Sequence, residues 1–201
     1  MDPEIANVLK QLTKDPFIIN YVNSVIRDNF DEIKNDILAQ FNTHPVTLEL
    51  EGGINSSNIS GTLSGVTNLY SFIGFENGEK PTEPIREMLH KSSFAIKNIS
   101  ATGVITINFD IPSAESIFKV TPMPWAEGRS WAKGIETGIS GLGYYLYTQK
   151  KNLANSRSGT AVQVDTNIRP GLRFSNVKYI SELLKKYEKK FSELNDSTIS
   201  T

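Results

Sequence analysis

The longest amphipathic pattern in the chain lies near its N-terminus. From Phe17 to Phe41, apolar residues recur at steps of three and four positions, which is the spacing of one side of an α-helix. The recurring residues are Ile18, Val22, Ile26, Phe30, Ile33, Ile37 and Phe41. Asp15-Pro16 supplies a capping carboxylate before a proline of the first turn. The pattern predicts a long helix with one side against a sheet and one side in solvent, preceded by a short helix over residues 5–12.

Short runs in which apolar and polar residues alternate predict strands. In residues 46–51 (VTLELE), apolar side chains alternate with polar ones, so Glu49 and Glu51 are expected on a solvent-facing side. The other predicted strands cover residues 69–75, 94–99, 104–111 and 162–168. The two in the middle are separated by a turn sequence and are expected to form a hairpin.

A glycine-rich helical pattern runs from Trp125 to Tyr147. Apolar residues fall at helical spacing, at Trp131, Ile135, Ile139, Leu142 and Leu146. Five glycines lie among them, and each interior glycine costs about 1 kcal/mol relative to alanine in a helix. Two explanations stay open: a core helix that a glycine ends near Gly138 or Gly141, or close packing of another backbone, including that of a neighbouring copy. On the second explanation, the interface residues are Trp125, Trp131, Gly134 and Gly138.

Shorter helices complete the expected fold. One begins after Thr82, one turn follows Pro112, and a C-terminal helix runs from about Val177 to Phe191. Together the elements predict an α+β fold, in which a single antiparallel or mixed sheet of about five strands packs against the long N-terminal, glycine-rich and C-terminal helices. We expect one domain over residues 1–195, followed by a disordered tail at residues 196–201.

Residues 52–68 (GGINSSNISGTLSGVTN) are nearly all Gly, Ser, Asn and Thr. Such a segment buries too little apolar area to hold a single conformation by itself, yet it lies between two predicted strands. We expect a long loop that is mobile in the isolated chain and becomes ordered against a neighbour. The anchors of that interface would be Ile54, Ile59, Leu63 and Val66.

Composition removes several classes of function. The chain has 201 residues, with 21 basic and 22 acidic side chains and a net charge of -1, so no global field draws it to nucleic acid or to an anionic membrane. It contains no cysteine, which excludes disulfides, thiol nucleophiles and cysteine-ligated zinc. Neither an export signal nor a run of about eighteen apolar residues is found, so we expect synthesis without export and no membrane partner.

Residues that could carry chemistry are sparse. His44 and His90 are the only histidines, and neither has a partner at a metal-binding spacing. His44 is expected to act as a cation at the C-terminal end of the long helix. The glycine clusters lack the Gly-Lys-Ser/Thr order of a phosphate-binding loop. We therefore expect no catalytic residue, no metal and no cofactor, and the alternative is a small metal- or carboxylate-dependent hydrolase or nuclease assembled by folding.

One modest basic region flanks the last predicted strand. Its residues are Lys150, Lys151, Arg157, Arg169 and Arg173. They form either a solvated loop or a surface that contacts a phosphate backbone, because lysine and arginine supply the sequence-independent part of nucleic-acid affinity.

Several segments resemble structural proteins of tailed bacteriophages. They are HPVTLELEGG, the loop with SGTLSG, NLYSFIGF, PIREML, WAEGRSWAKGIETGISGLGYYLY and SRSGTAVQV, and they span roughly residues 41–164. The combination resembles the tail-terminator and head-to-tail joining family of virion proteins. These motifs are structural, and they carry no catalytic residue over to this chain.

The resemblance implies a structural, non-enzymatic function. A protein of this type forms a homo-oligomeric ring, commonly a hexamer or dodecamer, as a tail terminator, a neck or head-tail connector subunit, or a tail-completion protein. Its partners would be copies of itself, other neck or tail proteins and, through the basic region, genome DNA without sequence preference. It would be assembled in the host cytoplasm and reside in the virion.

Overall fold

The computed structural model describes residues 14–65, 67–100, 104–139 and 174–196, together with residues 4, 8 and 11. In this part of the chain, the helices are α1 (Pro16–Thr43), α2 (Pro45–Glu51), α3 (Leu69–Ile73), α4 (Glu83–His90), α5 (Ala114–Lys119), α6 (Trp131–Thr137) and α7 (Ile180–Asp196). The strands are β1 (Ser93–Ile99), β2 (Ile105–Asp110), β3 (Pro122–Met123) and β4 (Ala126–Ser130), and a 3-10 turn covers Gly53–Asn55. The predicted α+β class is confirmed.

Helix α1 is the long helix that the apolar pattern predicts. The Asp15 carboxylate caps it by accepting a hydrogen bond from the Phe17 N–H at 2.8 Å, and Pro16 lies in the first turn. All fully buried side chains of α1 belong to its second half, namely Phe30, Ile37, Leu38 and Phe41. The C-terminal half of α1 therefore packs on the core, whereas the N-terminal half extends past it.

Helix α2 replaces the strand predicted over residues 46–51, so that prediction is wrong. Pro45 presets the first turn, and the His44 ring caps it by accepting a hydrogen bond from the Val46 N–H at 3.2 Å. The polar residues Thr47 and Glu49 are both 0% exposed. The alternating pattern therefore does not mark a half-buried strand, because two of its three polar positions are buried and the apolar Leu48 is 43% exposed.

Helix α3 likewise replaces a predicted strand, the one over residues 69–75. The Asn68 side-chain oxygen caps it by accepting the Ser71 N–H at 2.8 Å, and Gly74 ends it in a left-handed conformation. A short, dense apolar run has no period that separates a strand from a buried helix. The capping residues on both sides of this segment favour a helix over a strand.

The single sheet of about five strands is wrong for the described residues, which hold two separate two-stranded antiparallel sheets. Strands β1 and β2 form the predicted hairpin, with Phe94 opposite Phe109. Strands β3 and β4 form a second hairpin, and β4 replaces the first residues of the helix predicted from Trp125. The strand predicted at residues 162–168 lies outside the described residues.

The glycine-rich segment contains a helix that is shorter than predicted. Helix α6 ends at Gly138, whose φ of 99° is readily adopted only by glycine. Gly134 is buried within α6, and a Cβ atom there would lie 3.1 Å from Ile139 Cγ1 and 3.2 Å from Met123 Cε. The segment is thus a core helix ended by a glycine, and its close packing at Gly134 is against this chain's own side chains. Residues 140–147 lie outside the described part.

Helix α7 carries the predicted C-terminal apolar stripe and packs beside α1. Phe191 stacks on Phe109 with 4.3 Å between ring centroids and on Phe30 with 5.2 Å, so one aromatic cluster joins α7, the first hairpin and α1. Lys190 donates a hydrogen bond to Asp36 on α1 and holds the pKa of that carboxyl below its ordinary value.

The buried apolar side chains of the described residues form one continuous cluster, which includes residues of α1, α2, α3, α4, α5, α6 and α7. Helix α7 continues to Asp196, the first residue of the tail expected from the sequence. Residues 197–201 lie outside the described residues.

Candidate functional site

A fully buried carboxylate lies on α2, at Glu49. It accepts hydrogen bonds from the Asn58 side-chain amide at 2.9 Å, from the Ser60 N–H at 2.8 Å and from the Leu69 N–H at 2.6 Å. Its expected place on a solvent-facing side is wrong, because the helical turn of α2 directs it inward. The buried carboxyl group is stabilised by donors from the middle of the segment that follows α2 and from the first residue of α3.

Two asparagines complete the hydrogen bonding of the segment after α2. The Asn58 side-chain oxygen accepts the Leu63 and Gly65 N–H groups at 3.0 and 3.2 Å. The Asn68 amide donates to the Ile54 carbonyl at 3.0 Å. Polar side chains thus give the segment internal bonds that its few apolar residues do not supply. In this structure the loop folds against its own domain, which differs from the expected loop that only a neighbour orders.

The loop residues predicted to anchor an interface have different environments. Leu63 is 1% exposed and belongs to the core, and Ile54 is partly buried against that core. Ile59 is 50% exposed. Val66 lies outside the described residues. Among those described, Ile59 presents the most apolar surface to a partner.

The interface residues predicted in the glycine-rich segment lie mostly inside the subunit. Trp131 is 1% exposed, and Gly134 is buried beside it in α6. Trp125 donates its indole N–H to the Ile73 carbonyl at 2.7 Å. Gly138 lies next to the Asn176 side chain. These positions join α6 and the second hairpin to α3 and to the start of the C-terminal segment.

An open pocket of about 260 Å³ lies between α2 and α4. Its lining residues are Leu50, Glu51, Glu79, Lys80, Pro81, Thr82, Glu83 and Arg86. The Arg86 guanidinium donates to Glu51, to Glu83 at 2.8 Å and to the Asn42 side chain at 3.0 Å. Glu51 also accepts from the Thr82 hydroxyl at 2.9 Å. The chain's own acceptors occupy Arg86, so this side of the pocket is an ion-pair junction between α2 and α4.

His44 lies at the junction of α1 and α2 and packs on Tyr179, with 4.8 Å between ring centroids. Burial lowers the pKa of His44, although the Lys178 backbone and the Glu182 charge act in the opposite direction. The expected cation at the end of α1 is therefore not what this site favours. A neutral ring with an accepting nitrogen caps α2 instead.

The protein is expected to lose stability as the pH falls below 6.5, the ordinary pKa of His44. The folded state binds this proton less tightly than the unfolded state, so the stabilisation is fully present above that pH and is lost as the pH falls through the lowered pKa of the folded chain. Denaturant titrations of the wild type and of His44→Asn, at about pH 7.5 and about pH 5, measure the effect. Asparagine can cap α2 but does not titrate, so the wild type should lose more stability between the two pH values. Equal losses would contradict this assignment.

Within the described residues, no group of three or more His, Cys, Asp or Glu side chains is placed to hold a metal ion. None of the described helices is long and apolar enough to cross a membrane.

The residues predicted to face DNA all lie outside the described residues. They are Lys150, Lys151, Arg157, Arg169 and Arg173.

The N-terminal half of α1 exposes a stripe of apolar side chains that the sequence analysis did not single out. Phe17 is 79% exposed, Tyr21 is 65% exposed and Val25 is 39% exposed. Val8, before the helix, is 56% exposed. In the sequence, this stripe is visible as a second set of apolar residues spaced four positions apart. On the helix surface it lies beside the set that is predicted to face the core. What the sequence could not show was where along α1 the core ends.

Comparison of the chain with protein families, with curated proteins and with solved structures returned no match.

Proposed function

We propose that this chain is a non-catalytic structural subunit of a tailed bacteriophage, which assembles with copies of itself into a ring at the head-to-tail junction or at the tail end. The roles covered are tail terminator, neck or connector subunit and tail-completion protein, with a hexamer or dodecamer as the expected ring. The resemblance of the sequence segments motivates the phage assignment. The exposed apolar stripe on α1 is the observation that supports the proposed self-association.

Helix α1 has 28 residues, which corresponds to a length of about 42 Å. Fully buried side chains begin only at Phe30, so nearly half of this length lies beyond the core. Burial of apolar surface stabilises an association by about 25 cal/mol per Å². A row of large apolar side chains on an extended helix is therefore suited to a protein interface.

The loop that follows α2 supports contact with other neck or tail proteins. Its backbone is held by Glu49 and Asn58, while Ile59 is half exposed. A loop that is already ordered loses less conformational entropy when it binds than a flexible one. The deeply buried carboxylate thus serves to hold the loop in shape.

The described residues give no observation that favours the hydrolase or nuclease alternative. The Glu49 oxygens accept from three groups of the chain itself, and Glu51 is paired with Arg86. A carboxylate pair acting on a substrate needs free lone pairs that face one reacting atom. We therefore propose that the chain has no catalytic activity.

Contact with genome DNA is the part of the proposal that depends on sequence alone. Its residues are Lys150, Lys151, Arg157, Arg169 and Arg173. Residence in the virion, after assembly in the host cytoplasm, follows from the proposed role.

Inactivation of the gene in a phage that carries it tests the proposed role. Electron microscopy of the resulting lysate should show filled heads and tails that remain unjoined, or tails of abnormal length. Supply of the intact gene from a plasmid should restore complete particles. Normal particles without the protein would overturn the proposal.

A further inference from the structure

We propose that the exposed stripe on α1 binds the same stripe of a second copy of the chain, with the two helices antiparallel and a two-fold axis at Tyr21. We define the α1 stripe as Lys14, Phe17, Tyr21, Val25 and Asp28. This inference rests on the proposed self-assembly and adds the partner, the orientation and the register of the contact.

Four of the five residues of the α1 stripe share one side of the helix. At about 100° per residue, Phe17, Tyr21, Val25 and Asp28 fall within an arc of about 80°. Lys14 lies at the N-terminal end of the stripe, just before the Asp15 cap, whose backbone is extended. All five side chains are exposed. The stripe is therefore apolar in the middle, basic at its N-terminal end and acidic at its C-terminal end.

This distribution of charge favours an antiparallel pair. A two-fold axis at Tyr21 places Phe17 of each copy opposite Val25 of the other, because the two positions are equally far from Tyr21 along the helix. The same axis brings Asp28 of each copy to the N-terminal end of the other helix, where Lys14 of that copy lies. A parallel arrangement in register would instead set Lys14 beside Lys14 and Asp28 beside Asp28, which is repulsive at both ends.

The contact is self-complementary, so it closes as a pair of chains. Asp28 lies about 10 Å from Tyr21 along the helix axis, so the charged pairs are at the rim of the apolar centre. Exposed ion pairs contribute modestly to affinity, but they discriminate between orientations. A closed pair uses the whole α1 stripe, so the proposed ring needs a second contact surface, and the α1 pairs join two such rings face to face.

Charge reversal provides the test, with sedimentation velocity of the full chain over a range of concentrations at low salt. Lys14→Glu and Asp28→Lys are each expected to weaken dimerisation about tenfold, because each turns two attractive pairs into two repulsive ones. The double variant Lys14→Glu/Asp28→Lys restores opposite charges at both ends and should return to within about threefold of the wild type. Salt of about 1 M should reduce the differences among the variants.

Arg27→Glu is the matched control, because Arg27 is exposed on the same helix but lies off the stripe. It should dimerise like the wild type. Thermal unfolding of every variant identifies any loss of folding. A double variant as weak as the single variants would overturn the antiparallel register, and so would single reversals without effect. Either outcome leaves the phage role open, whereas normal particles after gene inactivation would refute that role and leave the dimer intact.

Discussion

Replacement of Glu49 by alanine is expected to lower the free energy of unfolding by about 3 kcal/mol or more. The carboxylate is 0% exposed, and its removal leaves the Ser60 and Leu69 N–H groups without their acceptor. A buried donor that loses its partner costs about 1 to 3 kcal/mol, and here the buried Leu69 N–H and the partly buried Ser60 N–H both lose it, so the effect is large. Denaturant titration measures the change.

Glu87→Gln is the matched control for Glu49→Ala. Glu87 lies on the exposed side of α4, 3.8 Å from Lys91, and its side chain is 61% exposed. Its replacement should change stability by less than about 0.5 kcal/mol. Hydrogen exchange gives a local readout, since the Ser60 and Leu69 amides should exchange faster in Glu49→Ala. A loss of stability no larger than the control's would contradict the role given to Glu49.

Trp131→Ala is expected to destabilise the chain by about 3 to 5 kcal/mol, since it removes a large side chain from the centre of the core. The Trp131 ring is 1% exposed. It makes an edge contact with Phe75, at 6.0 Å between ring centroids, and lies 6.4 Å from the Tyr179 ring. The substitution opens a cavity where α6, the segment after α3 and the start of the C-terminal segment meet.

Val104→Ala is the comparison for Trp131→Ala, because Val104 is 61% exposed and opens no cavity. Thermal unfolding should show a large drop in Tm for the tryptophan variant and little change for the valine variant. If the two variants unfold alike, Trp131 does not belong to the subunit core, and its earlier assignment to an interface between copies regains support.

The parts of the fold that the sequence predicts well are those with long periodic patterns or a clear turn. Helix α1, the first hairpin and the buried stripe of α7 follow from periods that persist over many residues. Helices α2 and α3 were mistaken for strands because each is short, so local capping outweighs any periodic signal. The helix starts are signalled by the residues at the caps, namely His44, Pro45 and Asn68. The spacing of apolar positions does not take these residues into account.

The candidate sites were harder to foresee than the elements. Glu49 gains its donors from Asn58, Ser60 and Leu69, and composition alone does not reveal such a network in a segment rich in Gly, Ser and Asn. The exposed side of α1 depends on where the rest of the chain stops covering the helix, which is a property of the tertiary structure. The sequence therefore predicts the interface in the loop and in the glycine-rich segment, whereas the structure shows exposed apolar side chains on the N-terminal half of α1.

The mass of the full chain in solution, measured by light scattering over a wide range of concentrations, is the most direct test of self-assembly through α1. We expect the wild type to form a species of defined multiple mass as the concentration rises. Tyr21→Ser changes a side chain that is 65% exposed, so it should leave the fold intact and shift the protein toward the monomer. A wild type that stays monomeric at every concentration, or a Tyr21→Ser variant that associates as well as the wild type, would contradict the account.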